Sequence, residues 1–219
     1  MGQNKYMLRF RSKKKTYFPK FSLLIWLLTL AAILWSEYYQ DRYNLDQLLA
    51  INPSEISQHL NQSWWHVLRL STALFLHGSW QHWAGNMILF LIIAFPLEKK
   101  VGGFWFLLIY FISGFAGNLT CIYQLGDSVK YLLGASGAVS GLLGAWLMLF
   151  PQQKISIVIP IGLYFQKAKV PILLLALIWL SIQIVLQLLS QQDHPIVWMT
   201  HIVGFIVGFF VAWLYRIVA

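Results

Sequence analysis

The sequence predicts an all-α polytopic membrane protein, a bundle of six transmembrane helices, and three observations carry that expectation. First, the 219 residues are 58% apolar and only 11% charged, where soluble domains carry about 25% charged residues. Second, the mean hydropathy is +0.63. Third, six continuous apolar runs occur, at 21–39, 82–97, 104–123, 136–150 (extended upstream by 131–133), 170–189 and 197–218. A membrane-spanning helix needs roughly 20 mainly apolar residues to cross ~30 Å of hydrocarbon. The runs do not alternate with period two, which argues against a closed barrel. Runs two and four are short, so tilt or burial inside the bundle is expected for them. An aromatic content of 16% excludes a disordered chain. The lone Cys121 excludes a disulfide framework and a cysteine-rich zinc module.

Each element follows from its local pattern. Residues 1–20 hold Lys5, Arg9, Arg11, Lys13, Lys14, Lys15 and Lys20 and no acid. They are expected to form a basic cytoplasmic tail before one membrane domain over 21–219. If the tail is inside and the runs alternate sides, Lys99, Lys100, Lys154, Lys167, Lys169 and Arg216 are inside as well. Thirteen of the 16 basic residues are then cytoplasmic, with both termini, the bias that the positive-inside rule describes. The expected location is a membrane that the chain crosses several times. The net charge of +9 is thus read as a topology signal, and no nucleic-acid partner is expected. Run one could be a signal peptide, but it is long for one and ends in bulky Trp35, Tyr38 and Tyr39; retention is expected. Segment 40–81 holds Trp64, Trp65 and Trp80 and an amphipathic piece at 65–76, and is expected to lie half-sunk in the outer leaflet. Segment 150–169, broken by Pro151, Pro160 and Gly162, is expected to be a cytoplasmic loop. No internal repeat is evident, which weakens a transporter reading.

Polar residues inside such a bundle are the informative ones. By this topology runs two, four and six all enter from the outer face. Run two opens with His82 and has Asn86 one turn on, run four opens in Gly134-Ala135-Ser136-Gly137, and run six has His201 about a turn below its outer end. A serine, two histidines and an asparagine therefore share one depth. Each also has a plainer reading. Ser136 could be a helix N-cap, and His82, Asn86 and His201 could be packed, satisfied polar groups between helices. Ser136, Ser140 and Gly144 recur every four residues, as do Gly204, Gly208 and Ala212. Small residues at that spacing let helices approach closely. If these stripes face each other, His201 comes within hydrogen-bond reach of Ser136, as a nucleophilic serine requires of its base. Unpaired N–H groups at the start of run four, with His82 and Asn86, could bind an oxyanion. Without a glycine at 138 the motif is not the nucleophile elbow of soluble hydrolases. His77, His82 and His201 lack the H-E-x-x-H pattern of a zinc site, so no metal is expected.

These residues resemble the rhomboid family of intramembrane serine proteases. The resemblance rests on the run from His77 to Asn86 (His-Gly-Ser-Trp-Gln-His-Trp-Ala-Gly-Asn), on Glu98-Lys99, on Gly134-Ala135-Ser136-Gly137, and on His201-Ile202-Val203-Gly204 with Gly208. It implies a six-helix fold of the bacterial type and a Ser–His dyad, with Ser136 as nucleophile and His201 as general base. His82, Asn86 and the Ser136 backbone N–H would bind the oxyanion, and His77 and Arg69 would be structural. It further implies single-pass transmembrane protein substrates, cut in or near the outer part of their membrane segment after lateral admission between helices two and five. No metal or organic cofactor is implied. The chain departs from the family twice. Leu68-Arg69 stands where many members have Trp-Arg, and Ser140 stands where some bacterial members have a tyrosine stacked on the histidine. What orients His201 is therefore left open. The alternative is a non-catalytic relative that binds transmembrane helices, but such proteins typically lack the serine or the histidine, and this chain has both.

Overall fold

The computed structural model describes residues 17–39, 45–59, 64–126, 128–161, 164–189 and 198–219. Most of the expected basic tail, residues 1–16, lies outside the described residues. Run one forms α1 (Lys20–Tyr38). Three short helices follow, α2 (Leu45–Leu49), α3 (Pro53–His59) and α4 (Trp64–Thr72), then a 3-10 turn at Ala73–Phe75. The longer helices are α5 (Trp80–Val101), α6 (Gly103–Gln124), α7 (Ser136–Leu149), α8 (Ile172–Leu189) and α9 (Trp198–Val218). Among the described residues α1, α6 and α9 are long and apolar enough to cross a membrane, and Ser136–Leu149 and Ile172–Val185 are shorter apolar helices. Helix α5 is 22 residues long but more polar, with Glu98, Lys99 and Lys100 in its last turn.

Local chemistry explains the helix ends. Ser79 caps α5, its hydroxyl accepting the His82 backbone N–H at 3.2 Å. Helix α5 ends at Gly102, whose φ of +81° is cheap only for glycine; α6 starts at the next residue. The start of α1 has no cap from its own N-cap residue, Pro19. Instead Glu98, fully buried, accepts the Ser22 N–H at 2.7 Å, the Phe21 N–H at 3.2 Å, the Tyr17 hydroxyl at 2.8 Å and the Ser22 hydroxyl. A carboxylate at this helix end satisfies orphan N–H groups and meets the positive end of the dipole.

Helix α7 is the hub. All ten residues from Gly137 to Trp146 are buried, among Phe90 of α5, Phe106 and Tyr110 of α6, and Ala212 of α9. Helices α7 and α9 are packed most intimately. On α7 a Cβ at Gly141 would meet the Ser113 side chain, and one at Gly144 the Phe205 carbonyl; on α9, one at Gly204 would meet the Gly137 carbonyl and one at Gly208 that of Gly141. The α7 stripe facing α9 is therefore Gly137, Gly141 and Gly144, not the expected Ser136, Ser140 and Gly144. Ser140 turns back and donates to the Ser136 carbonyl.

One expectation is corrected: segment 150–169 is not simply a loop. It is mostly an antiparallel hairpin of β1 (Lys154–Ile161) and β2 (Tyr164–Pro171), with Lys154 opposite Pro171 and Ile161 opposite Tyr164. The fold is mostly helical, as expected, with this one hairpin added. The run at 155–159, Ile-Ser-Ile-Val-Ile, is β-branched at all but its serine and favours extended backbone, a preference that the nearby proline and glycine punctuation masks.

Segment 40–81 is stitched onto the bundle. Ile51 and Leu132 exchange backbone hydrogen bonds of 3.0 and 2.7 Å, and Asn118 Nδ2 of α6 donates to the Leu70 carbonyl at 2.7 Å. Arg69, buried, donates to the Leu48 and Gln47 carbonyls at 3.2 and 3.0 Å and to Glu55 at 2.7 Å, tying α2 and α3 to α4.

Candidate active site

Helices α5, α7 and α9 start at the same end of the bundle and, with α6 and α8, enclose a cavity of about 710 Å³ there. His82, Asn86, Gly134, Ser136 and His201 all line it. Among the described residues no Asp, Glu, Lys or Arg does.

Ser136 is the first residue of α7, and the N-cap position belongs to Ala135. The capping reading of Ser136 therefore gives way. The Ser136 hydroxyl meets His201 Nε2 at 2.7 Å. This contact follows from the glycine seam: with Gly137 against Gly204, the residue before one glycine and the residue three before the other face each other across the helix ends. The other imidazole nitrogen, Nδ1, lies 2.6 Å from Gln183 Oε1 of α8. Two indoles flank the ring, Trp198 edge-on at 5.6 Å and Trp179 tilted at 6.0 Å between centroids. Gln183, Trp179 and Trp198 thus surround His201, whose orientation the sequence left open.

Across the cavity, His82 faces the start of α7. Gly134, at φ +136°, leaves the intervening space empty. A Cβ on it would lie 3.0 Å from His82 Nε2 and 3.9 Å from Ser136 Oγ. A side chain at 134 would thus be strained and would fill the gap between histidine and serine. Asn86 Nδ2 donates to the His82 carbonyl at 3.2 Å, anchored to its own helix with its amide at the cavity wall. His77 lies behind His82, buried, its ring edge-on at 5.1 Å. Burial, and then the neighbouring His82, push the His77 imidazole down to about 3, so it is a neutral packing group. Arg69 does not line the cavity and acts in the stitching described above. Gly137, Gly204 and Gly208 belong to the seam.

Sequence reasoning missed Gln183, Trp179 and Trp198. The signal for Gln183 was present: it is a polar residue in the middle of an apolar run, and such residues are expensive in a membrane unless they face a partner.

Fold and site together define a helical integral membrane protein with a serine–histidine pair in a cavity at one end of its bundle. The chain belongs to the rhomboid family: the family model described as Rhomboid domain matches residues 62–217. It is 33% identical over 165 residues to RHOMBOID-like protein 6, mitochondrial, of Arabidopsis thaliana, covering 75% of this chain and 47% of the relative. It is 30% identical over 146 residues to RHOMBOID-like protein 5 of the same plant, covering 67% and 43%. It is also 30% identical over 143 residues to Rhomboid-like protease 3 of Toxoplasma gondii, covering 61% and 52%. The chain spans about half the length of these relatives.

Proposed function

We propose that the protein is an intramembrane serine endopeptidase that cleaves single-pass membrane proteins in or near their transmembrane segment. The observation that carries this reading is the 2.7 Å contact between Ser136 Oγ and His201 Nε2 in a cavity at the helix ends. A serine hydroxyl is a weak nucleophile until a base takes its proton. In this mechanism His201 accepts that proton as Ser136 attacks the scissile carbonyl. It then returns the proton to the leaving amine, and water hydrolyses the acyl-enzyme. The oxyanion would occupy the gap that Gly134 leaves open, with the Ser136 N–H at the positive end of α7, His82 and Asn86 as donors. No metal or organic cofactor has a step in this chemistry.

We read α1, α5, α6, α7, α8 and α9 as six spans, residues 1–20 as a cytoplasmic tail and 21–219 as the membrane domain. Both termini are then cytoplasmic and the cavity opens to the outer side, which supplies water. The charge bias supports this orientation. Admission of the substrate between α5 and α8 is supported by a cavity lined by Gly85 and Leu89 on one side and Trp179 on the other. A substrate helix must unwind to present its carbonyl, so residues with poor helix propensity, such as glycine at ~1 kcal/mol, favour cleavage.

The test is purified protein in proteoliposomes with a single-pass test substrate and a fluorophosphonate probe. Ser136→Ala and His201→Ala each abolish cleavage and labelling while thermal unfolding is unchanged. His82→Ala and Asn86→Ala each lower kcat, by up to the roughly 10²–10³-fold that one oxyanion donor supplies. Cleavage that survives Ser136→Ala overturns the dyad.

A further inference from the structure

We propose that Gln183 of α8 is a positioning residue for His201, the third member of a Ser–His–Gln relay; this rests on the proteolytic reading above. A histidine can accept the serine proton on Nε2 only when its own proton sits on Nδ1. Something must hold that tautomer and the ring angle, as a carboxylate does in soluble serine proteases. Here Gln183 Oε1 lies 2.6 Å from Nδ1, so Nδ1–H donates to the amide oxygen and the Nε2 lone pair points at Ser136 Oγ, 2.7 Å away. The three groups form one chain of hydrogen bonds from α8 through α9 to α7.

The surroundings explain why the acceptor is an amide. Among the described residues, the titratable groups lining the cavity besides His201 are His82 of α5, Cys121 of α6 and Tyr131; Trp179 and Trp198 pack on the ring itself. No basic side chain among the described residues stands by to balance a carboxylate there, and an unbalanced buried charge is costly. A neutral oxygen orients the imidazole without that cost. Gln183 is 6% exposed, whereas its neighbours on α8, Ile182 and Ile184, are 48% and 46% exposed. The helix thus turns Gln183 inward and the two isoleucines beside it outward. The imidazole is further held by Trp179, itself stacked on Phe205, and by Trp198.

The experiment compares Gln183→Met, which keeps length but loses the acceptor, with Gln183→Glu, whose carboxyl keeps an acceptor oxygen and, buried without a counter-charge, stays protonated. Both are measured in proteoliposomes on the single-pass test substrate, with the fluorophosphonate probe and thermal unfolding in parallel. Gln183→Met is expected to lower kcat and the labelling rate together by about 10- to 100-fold, part of the ~10²–10⁴-fold that a positioned base supplies. KM and the unfolding midpoint stay at the wild-type values, and Gln183→Glu recovers most of the rate. Wild-type kcat in Gln183→Met overturns the proposal. So does an equal loss in both variants accompanied by a lowered unfolding midpoint, which is the mark of packing alone. Failure of the dyad reading looks different, because wild-type cleavage or labelling would then be insensitive to Ser136→Ala.

Discussion

The α7–α9 seam and the α8 wall face the same cavity but are built by opposite means. Along the seam, Gly144 of α7 and Gly204 and Gly208 of α9 leave no room for a Cβ against the facing helix, and Gly141 leaves none against Ser113 of α6. Backbone meets backbone, and interiors this dense do not deform continuously. On α8 only Ile172, Ala176 and Gln183 are buried among the described side chains, and Leu173, Leu174, Leu177 and Ile178 are exposed at the apolar outer face. Ser136 and His201 ride on the stiff pair, while Trp179 and Gln183 come from the lightly held helix. The serine–histidine distance is thus set by main-chain contact, and the orientation of the histidine by side chains on a wall with fewer constraints.

Gly208→Leu is the strongest way to break this contrast. Its side chain would collide with the Gly141 carbonyl, and no rotamer relieves a clash with backbone. A loss above about 3 kcal/mol is expected, beyond the usual overpacking range, read as the unfolding midpoint in detergent. A second change tests how α1 is held. Glu98→Ala leaves the Ser22 and Phe21 N–H groups without their acceptor in a buried site, at about 3 kcal/mol by the cost of losing charge-assisted hydrogen bonds. A shift of under 1 kcal/mol would mean that α1 is held by apolar packing alone, roughly one neutral hydrogen bond's worth being the threshold. The smallest effect is expected on the α8 wall. Leu177→Ala, at a position 56% exposed, changes stability by no more than about 0.5 kcal/mol. Equal sensitivity at Leu177 and Gly208 would dissolve the distinction between seam and wall.

The helices were legible because burial in a bilayer leaves a one-dimensional trace. The run at 104–123 became Gly103–Gln124, and the run at 136–150 became Ser136–Leu149. The run at 82–97 grew to Trp80–Val101 because the flanking Gln81 and Glu98-Lys99-Lys100 are helical without being apolar. The hairpin was not legible. Strand β2 reads Tyr-Phe-Gln-Lys-Ala-Lys-Val-Pro, which alternates only over its last Lys-Ala-Lys-Val stretch, and is a strand because β1 pairs with it. The four candidate residues at 82, 86, 136 and 201 were legible as a set by depth alone, and the structure puts them around one cavity.

Rotation about the helix axis was not legible. Ser136, Ser140 and Gly144 share the four-residue spacing with Gly137, Gly141 and the glycines of α9, and spacing alone does not say which stripe turns inward. Hydropathy reports how deep a residue sits and ignores the direction it faces. The sequence by itself therefore determined the solvent, the helices and the level at which their polar residues meet. Only the tertiary structure decided that Gly137 and Gly141 lie against Gly204 and Gly208, which brings Ser136 to His201, and that Gln183 turns inward to Nδ1. Those contacts depend on the close approach of three helices, and no local pattern along the chain encodes it.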